Sequence, residues 1–79
     1  MRIEIQFFGM LAEAIGKETL VLENFTGSLL GDVKTHVFSQ FPVLRAFSFQ
    51  MALNKKLLPE NTALTHNATI AFLPPFAGG

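Results

Sequence analysis

SLLGDVKTHVFSQFP, residues 28–42, is the stretch that decides the fold. Leu30, Val33, Val37 and Phe41 recur at helical spacing, so the segment has one apolar stripe to bury. Ser28 is the expected N-cap and Pro42 the stop, because a Ser hydroxyl accepts from an unpaired N–H and a Pro cannot continue the ladder. No other segment carries so long a helical pattern. The rest must supply the surface on which this helix lies.

On the N-terminal side, Ile3, Ile5 and Phe7 alternate with Arg2, Glu4 and Gln6, the period of a half-buried strand. Phe8 falls in the polar register, which makes it an apolar residue on the open face. Gly9 breaks the run, residues 10–15 have room for one or two helical turns, and Gly16 is placed to end them. Residues 19–23 alternate again with Leu20 and Leu22 on one side, so the first two strands are expected to pair.

Beyond the helix, Phe47, Phe49, Met51 and Leu53 alternate with Ser48, Gln50 and Ala52, which predicts a third strand over residues 47–53. Asn54-Lys55 is a turn into a short strand at 56–58, and Pro59, Glu60 and Asn61 mark a loop. After a His66-Asn67 turn, residues 69–73 form the last strand, with Ile70 and Phe72 inward and Ala71 and Leu73 opposite. The order predicts an α+β fold: one sheet with one main helix across one face. The other face then carries Arg2, Glu4, Gln6, Phe8, Gln50, Ala52, Ala71 and Leu73. If the first and last strands run parallel, Phe8 and Leu73 sit side by side where the chain leaves the sheet.

Composition narrows the function. A chain of 79 residues has room for one core and no elaborate enclosed active site. It is 49% hydrophobic and 15% charged, against roughly 25% charged in soluble domains, which leaves apolar surface for a partner to cover. Six basic and six acidic residues cancel, with no basic stripe for a nucleic acid. The absence of Cys excludes a disulfide framework, a thiolate nucleophile and sulfur ligands for a metal. The alternating N-terminus is unlike a signal peptide and the apolar runs are too short for a bilayer, so the expected location is the cytoplasm, away from membranes.

The chain stops on LPPFAGG, residues 73–79. Pro74 and Pro75 restrict the backbone, so residues 74–79 are expected to leave the 1–73 domain as an extended tail reaching about 20 Å. Phe76 offers one anchor, while Ala77, Gly78 and Gly79 would fit a narrow channel. The reactive group is then the α-carboxylate of Gly79, which needs activation, most simply as a mixed anhydride with AMP. Glycine suits this because no Cβ crowds attack on the carbonyl. Two terminal glycines alone arise by chance in about 0.5% of chains; the Pro-Pro exit and the element order together make the reading specific.

These residues resemble the small subunit of molybdopterin synthase, a ubiquitin-like β-grasp sulfur carrier. The resemblance spans essentially the whole chain: FFG followed by Glu13 and Gly16, the central helix, ALN at residues 52–54, and AFLPPFAGG at the end. It implies that an E1-like enzyme adenylates Gly79 with ATP and magnesium, and that a sulfurtransferase supplies sulfur for a thiocarboxylate. The tail then enters the large synthase subunit and gives its sulfur to cyclic pyranopterin monophosphate. ATP, magnesium and pterin are bound by the partners and none by this chain. Gly78, Ala77, Phe76, Pro75, Phe8 and Leu73 are the expected partner-binding residues. Two positions depart from the family: Ala12 stands where an Arg is common before the Glu, and His66-Asn67-Ala68 replaces an acidic, Gly-containing turn.

Other features are read as structural. His36 and His66 lack a third ligand for a metal, Glu13 and Glu18 have neither pocket nor nucleophile, and Lys55-Lys56 is a solvated turn. Phe7, Phe38, Phe41, Phe49 and Phe72 are assigned to the core. Three readings compete with the molybdopterin carrier: a modifier joined to lysines, a carrier for thiamin or tungsten cofactor assembly, and a β-grasp binding module with an inert tail.

Overall fold

A computed structural model of the chain describes residues 1–75. Within them lie β1 (Ile3–Phe7), α1 (Met10–Ile15), β2 (Thr19–Leu22), α2 (Leu30–Gln40), a 3-10 helix (Pro42–Ala46), β3 (Gln50–Leu53), β4 (Lys56–Leu57) and β5 (Ala68–Leu73). The described strands form one sheet in the order β2-β1-β5-β3-β4. β5 runs parallel to β1, with Phe7 opposite Phe72, and every other neighbouring pair is antiparallel.

Alternation sets the core as expected. Ile3, Ile5 and Phe7 of β1 and Ile70 and Phe72 of β5 are buried on the face that α2 covers with Leu30, Val33 and Val37. Leu11 of α1, Leu44 of the 3-10 helix and Leu64 of the loop between β4 and β5 seal the margins. Aromatic rings run through this core: Phe49 stacks on Phe72 with centroids 5.0 Å apart, Phe72 meets Phe7 at 5.3 Å, and Phe7 meets Phe41 edge-on at 6.3 Å. No polar or charged side chain is buried among the described residues, so apolar contact is the main source of stability.

Four local expectations are corrected. Ser28 does not cap α2. Leu29 occupies that position, and the Asp32 carboxylate accepts from the N–H groups of Ser28 and Leu29, each at 2.8 Å. The first helical N–H groups find a second loop instead: Leu30 donates to the Thr62 carbonyl at 2.9 Å and Gly31 to that of Glu60 at 2.8 Å. The third strand starts at Gln50 rather than residue 47, because Pro42 opens a 3-10 helix and Phe47 ends it by donating to the Leu44 carbonyl. Ala52 is buried although it lies on the open face, for it is small and sits between Leu57 and Ala71. β4 is shorter by one residue than expected, and the Asn54-Lys55 turn before it holds both residues at positive φ, 49° and 75°.

Candidate functional site

The parallel pairing of β1 and β5 builds the site. Phe7 opposite Phe72 brings the next residues, Phe8 and Leu73, beside each other, and the Phe8 N–H donates to the Phe72 carbonyl at 3.2 Å. Phe8 is 44% exposed and Leu73 half-buried, so the pair forms an apolar patch where the last strand ends. Gln50, opposite Leu73 across the antiparallel β3, gives the patch a polar margin.

Gly9 makes the turn that lets the chain pass from β1 into α1 under this patch. Its backbone, φ 55° and ψ −131°, lies in a region that side-chain-bearing residues avoid. Its bare face also holds the start of the tail, since a Cβ there would stand 3.2 Å from Pro74 Cγ. In the sequence Gly9 reads as the break after β1 and the last residue of the FFG signpost, with nothing to mark the contact it makes. Its contact partner lies at the far end of the chain, and only the β1–β5 pairing brings the two together.

Pro74 is half-buried against this turn and Pro75 is exposed. On the β2 side of the Gly9 turn an open groove of about 710 Å³ runs between Phe8, Ala12 and Glu13 on one side and Lys17, Glu18 and Thr19 on the other. Glu13 and Glu18 are both exposed there, in line with solvated surface charge. Ala12 is half-buried with its methyl against the core margin, leaving Glu13 as the acidic group of α1 on the groove. His36 sits edge-on to Phe25 at 6.0 Å and hydrogen-bonds Gln40, whereas His66 is exposed in its loop. Among the described residues no three metal-ligating side chains cluster.

Of the partner-binding positions, the structure brings Phe8 and Leu73 together and carries Pro75 beyond them. Phe76, Ala77, Gly78 and Gly79 lie outside the described residues.

A protein-family model, that of the ThiS family, matches residues 5–79, from the middle of β1 through both terminal glycines. The chain belongs to the ThiS family. It is accordingly a ubiquitin-like carrier of the sulfur-carrier type. Solved structures agree on the fold of this ThiS-family chain. SAMP1 from Haloferax volcanii is 22% identical over the whole of both chains, with a TM-score of 0.83. The small archaeal modifier protein 1 from Methanosarcina acetivorans is 22% identical over 99% of this chain and 96% of its own, with a TM-score of 0.82. A chain from the complex of subunits 1 and 2 of the molybdopterin-converting factor from Helicobacter pylori is 27% identical over the whole of both chains, with a TM-score of 0.71. Among the described residues no helix is long and apolar enough to cross a membrane.

Proposed function

We propose that this protein carries sulfur for molybdopterin formation in the cytoplasm, with residues 1–73 as the body that partners recognise and 74–79 as the reactive tail. An E1-like enzyme holding ATP and magnesium activates Gly79: a carboxylate oxygen attacks the α-phosphorus and pyrophosphate leaves. The terminal sulfur of a persulfide on a sulfurtransferase then attacks the acyl carbon and AMP leaves, and a second thiol reduces the resulting acyl disulfide, releasing the thiocarboxylate and a disulfide. The large synthase subunit receives the tail, the thiocarboxylate sulfur bonds to a carbon of cyclic pyranopterin monophosphate, and water cleaves the resulting thioester, leaving the sulfur on the pterin and returning the Gly79 carboxylate. The protein's own part is to present the carbonyl unhindered, since Gly79 has no Cβ, and to aim it. The chain has no Cys, so it offers no thiol of its own to compete for the activated carbonyl.

The observation that carries this reading is a family match running through residue 79 on a fold whose central strand leads directly into Pro74-Pro75. The Helicobacter pylori complex supports a second subunit as the receiving partner. The two archaeal modifier proteins support a second reading, in which a lysine amine attacks the same acyl carbon and an isopeptide bond results. Both readings share the adenylation, and they part at the nucleophile.

The test is intact mass followed by fragmentation, after incubation with ATP, a cognate activating enzyme and a sulfur donor. Replacement of one oxygen by sulfur at Gly79 is expected, and a chain lacking Gly79 should stay unmodified with unchanged thermal stability. Fragmentation is essential, because oxidation of any of the three Met residues nominally matches the same mass change. Lysine-linked Gly-Gly remnants without thiocarboxylate would establish the modifier, and an unaltered Gly79 under all conditions would overturn both.

A further inference from the structure

The two edges of the sheet are protected unequally. β4 is two residues long and carries Lys56, with Lys55 in the turn before it, a short charged edge of the kind that discourages pairing. β2 has four residues, Thr19–Leu22, with no charge, proline or glycine among them. The Phe7 N–H donates to the Glu18 carbonyl at 2.9 Å, so by the alternation of an antiparallel ladder the N–H and C=O groups of Thr19 and Val21 face away from β1. They form an open row of donors and acceptors.

We propose that β2 is a self-pairing edge, to which a second copy of this chain adds antiparallel about a two-fold axis through Leu20. The flanking charges select this register. With the axis at Leu20, Thr19 lies opposite Val21 of the second copy and exchanges both hydrogen bonds, and just beyond the ends of the paired strands the loop residue Lys17 comes near the bend residue Glu23 of the second copy, whose carboxylate Arg2 contacts at 3.0 Å. With the axis at Val21, Thr19 would face Glu23 and Lys17 would face Phe25; with the axis at Thr19, Lys17 would face Val21. Only the Leu20 axis brings unlike charges together at the ends of the pairing, and unlike charges across a strand pair favour it.

The apolar contacts agree with this choice. Leu20 is half-buried in the single chain, and on this axis it meets Leu20 of the second copy on the helix-covered side. Val21, 39% exposed, packs against Thr19 of the second copy on the open side. Lys17 has no ion pair among the described residues, so its ammonium is available. Because the axis reverses β1 and β5 together, the two tails leave from opposite ends of the joined sheet.

Sedimentation equilibrium and amide NMR on the full chain test the proposal. A concentration-dependent dimer is expected, with dilution shifts confined to residues 17–23 and their β1 neighbours. Lys17→Glu should weaken association by about tenfold or more, because each opposed pair becomes repulsive. Glu23→Lys should do the same, although it also removes the 3.0 Å contact from Arg2, so circular dichroism must show that each variant is folded. Mixing the two variants restores unlike charges at both ends, and a heterodimer of wild-type strength should form. A folded chain that stays monomeric at millimolar concentration, dilution shifts elsewhere, or a Lys17→Glu dimer of unchanged strength would overturn self-pairing. So would β2 shifts that appear only when a different protein is added.

Discussion

Gly9 and Lys55 are both held at positive φ, and the energetic arguments at the two sites run in opposite directions. At Gly9 the conformation is free of cost only while no side chain is present, and the bare Cα is also the surface that meets Pro74. Gly9→Ala should therefore cost about 1–3 kcal/mol of stability from backbone strain. The same change should move the amide shifts of Leu73 and of residues around the turn, while leaving the α2 contacts intact; thermal melts and amide NMR check both. Lys55 sits at φ 75° in a two-residue hairpin turn and makes no hydrogen bond or ion pair through its side chain among the described residues. Lys55→Gly relieves the left-handed penalty and should raise stability by about 1 kcal/mol, read as an upward shift of the melting temperature.

At the scale of elements, α2 depends at its start on a carboxylate and a distant loop rather than on the Ser that its sequence offers. The backbone N–H groups of Leu29 and then Ser28 hold the Asp32 carboxyl below its ordinary value of 3.8. A lowered native value means that the stabilisation is fully present above 3.8 and is lost as the pH falls through the native value. Asp32→Asn should therefore lower the melting temperature at neutral pH, and the gap from the wild type should close in acid. Melting curves for both proteins across the acidic range decide this. Much of the element order was legible because β1, β2, β5 and α2 each bury one face, and burial writes a period of two or 3.6 into the sequence. Where a contact joins distant segments, that local signal fails. The carbonyls of Glu60 and Thr62 reach α2 from a loop some thirty residues on, which no local pattern could announce. Phe47 and Phe49 fit strand alternation, yet both face the core from the end of a 3-10 helix and the residues after it, and Ala52 is covered because it is small and flanked by strands on both sides, opposite Leu57 and Ala71. In the candidate site, Phe8 and Leu73 were legible as apolar residues in polar registers, whereas the Gly9–Pro74 contact required the parallel pairing itself.

For the molecule as a whole, the same pairing separates what folds the chain from what the chain displays. Phe8 projects from the sheet without joining the buried cluster. Phe8→Ser should thus leave thermal stability within about 0.5 kcal/mol of the wild type, yet weaken binding to a large synthase subunit by about tenfold or more, as expected when an aromatic anchor is lost. Calorimetric titration against that subunit measures the second effect, and equal losses in both quantities would place Phe8 in the core instead. The sheet order also has a consequence during synthesis. Of the described strands β5 is made last, yet it occupies the centre of the sheet between β1 and β3. Until it emerges from the ribosome, β1 has only β2 beside it and β3 only β4, so the two halves of the sheet must wait for each other. A chain broken off early would lack the tail, the Phe8–Leu73 patch and a closed core all at once. Closure of the core and display of the Phe8–Leu73 patch therefore become a single event, and a chain that has not yet paired β5 offers a partner no patch to bind.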